Sequence, residues 1–197
     1  MRIVAVSQRV DVYRERGEIR DALDQRLVMF IAAGGGLAVP VPNTLSATDS
    51  LGQWLSSLQP AAIVLSGGND VGQYPARDLT ERRLLDHAKA TGLPVLGICR
   101  GMQMMGMWAG AELKSVAGHV GTRHRLAGKI TGEVNSYHNH ALVECPLGFT
   151  SLARSEDGEI EAIRHENLSW EGWMWHPERE DDFHSRDIQR LKALFGE

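Results

Sequence analysis

Two cysteines, Cys99 and Cys145, in 197 residues are too few for a disulfide framework. That scarcity fits a reducing compartment, so a cytoplasmic location is expected. No run of about 18 apolar residues occurs, so no membrane span is expected. The opening stretch MRIVAVSQRV lacks the basic, apolar and small-residue regions of a secretory leader. A basic surplus is missing as well. Lys and Arg number 21 against 25 Asp and Glu, a formal net charge of −4, which argues against a nucleic-acid partner. No repeat, low-complexity tract or Pro/Ser-rich linker divides the chain. What is present is 43% hydrophobic and 23% charged, an ordinary globular balance. A chain of this length can bury roughly 70% of the surface that its unfolded form exposes. Residues 1–197 are read as a single domain.

Apolar patterning gives the layout. Residues 3–6 are a short β-branched run, read as a buried strand. Residues 19–33 carry Leu23, Leu27, Phe30 and Ile31 on one helical face, and Gly34 to Gly36 stop the helix. Strands are expected at 37–41, 61–65 and 94–98, and helices at 47–58, 80–91 and 101–109. This alternation implies a parallel sheet with helices on both faces, with functional groups gathered at the carboxyl ends of the strands. In the second half, strand-like pieces are expected at 130–136, 149–153, 160–164 and 170–175, and a closing helix at 188–195. Residues 115–129, rich in Gly and His, are read as an exposed loop near the site. The methionines of 101–109 are expected to fill core. Trp170, Trp173 and Trp175 are expected on one strand face, again as core, and the acidic stretch 178–182 as a solvated rim.

Gly97-Ile98-Cys99-Arg100-Gly101 lies between a predicted strand and a predicted helix, in the form G-x-C-x-G. This is the thiol version of a nucleophile elbow, a sharp turn that lifts its central residue above the sheet. The flanking glycines let backbone and helix approach without clash. The helix N-terminus favours a thiolate there. A thiolate needs a base, and the base needs an orienting group. Trp175-His176-Pro177-Glu178 supplies both at a spacing that puts a carboxylate on one imidazole nitrogen and leaves the other for the sulfur. The developing oxyanion needs N–H donors. Arg100, just after the nucleophile, offers one, and Gly67 or Gly68 in Ser66-Gly67-Gly68-Asn69-Asp70 offers a second, with the choice between the two glycines open.

GICRGMQ, WHPE and the SGGND loop together resemble the class I glutamine amidotransferases and their γ-glutamyl hydrolase branch. The likeness runs along the whole chain. VSQRV and VNSYHNH look most similar to the stand-alone hydrolases, which act on γ-glutamyl-GABA or, in phosphoramidate capsule pathways, on γ-glutamyl-CDP-amidate. The resemblance implies a three-layer flavodoxin-like fold and a Cys99–His176–Glu178 triad. It implies a glutamyl-binding role for Gln103 and a pocket lined by the segment with Ser136, Tyr137 and His138. The reaction it implies is attack of Cys99 on a γ-glutamyl amide, followed by hydrolysis of the thioester, with no cofactor. A glutaminase subunit that hands ammonia to a partner synthase is the alternative. A homodimer is left open.

Arg9, at the end of the first strand, has the guanidinium fork suited to a phosphate or carboxylate. Tyr13, Arg14 and Arg16 could extend that patch, and Tyr74 could offer a stacking ring. No metal is expected, because His119, His124, His138 and His140 do not form a helical H-x-x-x-H pair backed by Glu.

Overall fold

The computed structural model describes residues 2–196, so the two ends of the expected domain, 1 and 197, lie outside the described residues. The chain opens with β1 (Arg2–Ser7), β2 (Arg9–Tyr13), β3 (Glu18–Ala22), α1 (Gln25–Ala33) and β4 (Gly36–Val41). It continues through α2 (Thr44–Ala47), α3 (Leu51–Leu58), β5 (Ala62–Leu65), α4 (Pro75–Thr91), β6 (Val95–Ile98) and α5 (Arg100–Trp108). The second half adds β7 (Leu113–Ser115), β8 (Val120–Gly128), β9 (Gly132–Tyr137) and β10 (His140–Leu142). It closes with β11 (Phe149–Arg154), β12 (Ile160–His165), β13 (Trp170–Trp173) and α6 (Ser185–Leu194).

One sheet of nine strands runs β4-β1-β5-β6-β13-β12-β11-β8-β9. From β4 to β13 the neighbours are parallel, and from β13 onward they are antiparallel. The strand period of two sorts the core. Val4, Val6, Ala62, Val64, Leu96 and Ile98 face α1 and α6 through Leu27, Phe30, Ile31, Leu191 and Phe195. Ala5, Ile63, Leu65 and Val95 face α3, α4 and α5 through Leu51, Leu55, Leu84, Leu85, Met102 and Met105. Each large apolar side chain buried this way contributes about 1.5–3 kcal/mol relative to exposure. The result is the expected three-layer, flavodoxin-like α/β fold. The α5 methionines are core, as expected. No described helix is long and apolar enough to cross a membrane.

Three expectations are corrected. The helix expected over 19–33 begins only at Gln25, capped by the Asp24 carboxylate on the Arg26 N–H at 2.8 Å. The residues before it pair as an antiparallel hairpin, β2 with β3, turned by Arg14–Arg16 and by Gly17 at φ 63°. Residues 115–129 are not a loop, since β8 pairs with β9 along most of its length. The tryptophans do not share a face either. Trp173 and Trp175 stack at 5.5 Å on the α1/α6 side, whereas Trp170 packs on the other side with α5.

Candidate active site

The carboxyl ends of β1, β5, β6 and β13 converge, and the candidate residues sit just beyond them. β13 lies parallel to β6, with Trp173 opposite Ile98. Cys99 is one residue past Ile98 and His176 is three past Trp173, so this strand pairing closes the long sequence gap between them. The Cys99 N–H donates to the Trp173 carbonyl at 2.7 Å.

Cys99 has φ 50° and ψ −105°, a conformation that non-glycine residues rarely adopt. Strain of this kind costs about 1–3 kcal/mol and persists where the surroundings enforce it. Here the enforcing contacts are visible. A Cβ on Gly101 would stand 2.2 Å from the Leu65 carbonyl oxygen, and one on Gly97 would stand 2.6 Å from the Met105 sulfur and 2.7 Å from the Gly101 backbone. Only glycine at both places lets α5 start this close to β5 and β6. The sulfur is held at the first turn of α5.

His176 is buried, and its Nδ1–H donates to Glu178 Oε1 at 2.7 Å. The ring and Cys99 line the same cleft. Burial pushes the ring's pKa down, but the charges of Cys99 and Glu178 and their hydrogen bonds outweigh it and lift it to about 9. The imidazolium form of the ring is thus favoured at this site. Glu178 is itself buried, so the solvated acidic rim begins only beyond it. Asn135 fixes the backbone of His176 from both sides. Its Nδ2 donates to the His176 carbonyl at 2.8 Å, and its Oδ1 accepts the His176 N–H at 2.9 Å.

The glycine loop is shaped by Arg77, which is fully buried. Its guanidinium donates to the carbonyls of Ser66 at 2.8 Å and Gly67 at 3.0 Å, and also to that of Gly68. Across a trans peptide the N–H points opposite the carbonyl. The N–H groups of Gly67 and Gly68 therefore face away from Arg77. Arg100 places its N–H in the first turn of α5, where no intrahelical acceptor exists. Its side chain is buried and paired with Asp78 and Glu81, so only its backbone can serve a substrate. Gly67 abuts the imidazole, because a Cβ there would stand 2.6 Å from His176 Cε1. Gly67→Ala is expected to push the ring out of line and lower kcat by about 100-fold, with little change in Tm. Steady-state kinetics beside a thermal melt checks this.

Two clefts meet at His176. A smaller one, about 120 Å³, is walled by Cys99, Arg100, Gln103, Tyr137 and His138. A larger one, about 280 Å³, lies on the hairpin side between Arg9, Leu23, Gly67, Gly68 and His176. Gln103 is buried with its Nε2 donating to the His140 carbonyl at 2.9 Å. Tyr137 stands edge-on to the His176 ring at 5.8 Å, under the Arg179 guanidinium. Arg9 is exposed, rests against Gly68 and donates from Nε to Asp11 at 2.8 Å. Ser136 is not among the residues lining either cleft. It is fully buried and donates to the His119 carbonyl at 2.7 Å. Tyr13, Arg14, Arg16 and Tyr74 line neither cleft.

Fold and site together define a class: an α/β protein with a thiol on a strand–helix elbow, facing a carboxylate-backed imidazole. Comparison with known proteins narrows this. The chain belongs to the glutamine amidotransferase class-I family, whose model matches residues 30–193. It is therefore an amidotransferase or hydrolase of that family. A γ-glutamyl-CDP-amidate hydrolase of Campylobacter jejuni is 34% identical over 141 residues, 68% of this chain and 70% of that one. A glutamine-hydrolysing GMP synthase subunit of Thermococcus kodakarensis is 29% identical over 168 residues, covering 80% of this chain and 85% of that one. Among solved structures, a Thermoplasma acidophilum protein described as a candidate GMP synthase subunit superposes with a TM-score of 0.74 at 18% identity. That superposition covers 99% of this chain and 94% of the other, a likeness of fold alone.

Sequence reasoning missed Arg77, Glu81 and the positioning role of Asn135. Arg77 and Glu81 are four apart on α4 and look there like an ordinary surface pair. The one signal in the sequence was that this arginine follows closely on a glycine loop at a strand end.

Proposed function

We propose that this chain is a cysteine-dependent hydrolase of a small γ-glutamyl conjugate. The observation that carries the reading is the buried His176 ring, bonded to Glu178 and lining the same cleft as Cys99, the two brought there by the pairing of β13 with β6. Cys99 attacks the γ-carbonyl of a glutamyl amide bound in the smaller cleft, beside Gln103 and Tyr137. N–H donors at Arg100 and at Gly67 or Gly68 hold the oxyanion. His176 gives its proton to the leaving amine, and then draws a proton from the water that opens the thioester. Glu178 keeps the tautomer throughout. The amine leaves through the larger cleft, past Arg9.

The preferred substrate is γ-glutamyl-CDP-amidate, which would release glutamate and cytidine diphosphoramidate. Two things support it: the likeness to the Campylobacter jejuni hydrolase, and an arginine on the leaving-group side of His176. γ-Glutamyl-GABA or a polyamine conjugate is the alternative leaving group. The likeness to the Thermococcus kodakarensis GMP synthase protein favours a second reading, a glutaminase that needs a synthase partner. Incubating the purified chain alone with glutamine and with each conjugate, and following released glutamate by mass spectrometry, separates these readings. Strong turnover of a conjugate without a partner supports the hydrolase, and silence on every substrate until a synthase is added overturns it. Arg9→Ala is expected to raise KM for the phosphorylated conjugate about 10–100-fold, the value of a charge-assisted contact, and to leave KM for glutamine unchanged. Equal effects on both substrates would dismiss a phosphate contact.

A further inference from the structure

Beneath the wall of the smaller cleft, four side chains from three neighbouring parts of the sheet point at one spot. They are His119, just before β8, His124 on β8, His138, just after β9, and Glu161 on β12. Each offers one ligand atom, and these atoms lie within 4.8 Å of one another. His119 Nδ1 is 3.3 Å from His138 Nε2 and 3.6 Å from Glu161 Oε1, and His138 Nε2 is 3.4 Å from the same oxygen. Ligands held ~2.0–2.2 Å from a tetrahedral zinc ion stand ~3.3–3.6 Å apart, so these spacings match the edges of such a tetrahedron.

The protons are arranged to match. His138 Nδ1–H donates to the His140 carbonyl at 3.0 Å, which leaves a lone pair on Nε2. His119 Nε2–H donates to Asp157 Oδ2 at 2.8 Å, which leaves a lone pair on Nδ1. Two lone pairs thus face each other, an arrangement that a cation between them resolves. Carbonyl and carboxylate partners of this kind are what orient metal-bound histidines. Among the described residues, both oxygens of the fully buried Glu161 and the Nε2 of His124 lack a hydrogen-bond donor or acceptor. A buried carboxylate without a donor is costly unless a cation meets it.

We propose that His119, His124, His138 and Glu161 bind one zinc ion in a closed, four-ligand structural site. Three nitrogens and one carboxylate oxygen suit zinc among the common divalent metals, and a full set of protein ligands marks a structural rather than a catalytic centre. The ion would clamp β8, β9 and β12 together below the segment that carries Tyr137 and His138. The expectation of no metal came from spacing along the chain. The sheet brings together what that spacing separates.

The test measures zinc itself, independently of turnover. The full chain is stripped with a chelator, re-equilibrated with buffered zinc, and assayed for metal content, for the visible spectrum after cobalt(II) substitution, and for Tm. About one zinc per chain and a tetrahedral cobalt spectrum are expected. Stripping is expected to lower Tm by roughly 8–16 °C, the loss of a ligand held at ~1,000 times its dissociation constant. His124→Ala, at the least buried ligand, and Glu161→Gln are each expected to hold under ~0.1 equivalent while keeping the native circular dichroism. Cys99→Ser is expected to retain the full equivalent, which separates this site from the thiol of the proposed reaction. A wild-type chain that is folded yet takes up no zinc overturns the proposal, as does full zinc retention in both ligand variants or loss of zinc in Cys99→Ser.

Discussion

Replacing Cys99 with serine or alanine is expected to lower turnover at least ~1,000-fold while the fold persists. The size follows from the role proposed for the sulfur. It forms the covalent intermediate, and Cys145 cannot replace it, because that thiol packs on the other side of the sheet and donates to the Phe149 carbonyl. A serine hydroxyl is the right shape for the elbow, so its strained backbone and the Trp173 contact survive. What it lacks is acidity. Burial pushes His176 down, and the Cys99 charge leads the influences that push it up to about 9. In Cys99→Ser that negative neighbour is gone, so burial is opposed by Glu178 alone and the ring's pKa falls. An NMR titration of His176 beside steady-state kinetics checks both halves. Near-wild-type rates in Cys99→Ala would end the reading of this site as a thiol-dependent hydrolase. An unmoved His176 pKa in Cys99→Ser would mean that the sulfur and the ring do not interact.

The elbow and the His-Pro-Glu run were readable in the sequence because each packs its chemistry into a few adjacent residues. The β1, β5 and β6 strands were readable for a related reason: each is buried on both faces, so it stands out as an unbroken apolar run. The β2–β3 hairpin was not, since it is short and, of the apolar residues on its one face, only Val10 is buried while Val12 and Ile19 are exposed. Its cues were the alternation of Val10 and Val12 and the turn residue Gly17. β8 hid in the same way, as a mostly exposed strand rich in charge and glycine. A motif alone puts Ser136 in the pocket wall, but strand alternation turns its side chain inward to the His119 carbonyl. The histidine–glutamate cluster shows the limit most clearly, because His138 and Glu161 reach the His119–His124 stretch only through the pairing of the sheet.

The second large effect is expected at Arg77. Its fork ties the Ser66–Gly68 carbonyls to Glu81, which also accepts from Ser7 Oγ at 2.8 Å and pairs with Arg100. Ser7 in turn accepts the Ser66 N–H at 2.9 Å. Burial, reinforced by Arg9, lowers the Arg77 pKa to about 9, so the guanidinium remains charged at neutral pH. Arg77→Met removes the cation, leaves Glu81 with Arg100 as its remaining charged partner, and strips three carbonyls of their donor. Breaking a buried pair from one side costs about 3–5 kcal/mol, to be read from chemical denaturation. The same change frees the peptides whose N–H groups face away from Arg77, and loss of one preorganised oxyanion donor costs about 100–1,000-fold in kcat. Arg77→Lys tells the two effects apart. A point charge can still neutralise Glu81 and recover part of the stability, but it cannot hold three carbonyls at once, so kcat stays low. If Lys restored kcat along with stability, the arginine would be serving the fold alone. The proposed oxyanion donors would then owe their direction to the turn of the glycine loop itself.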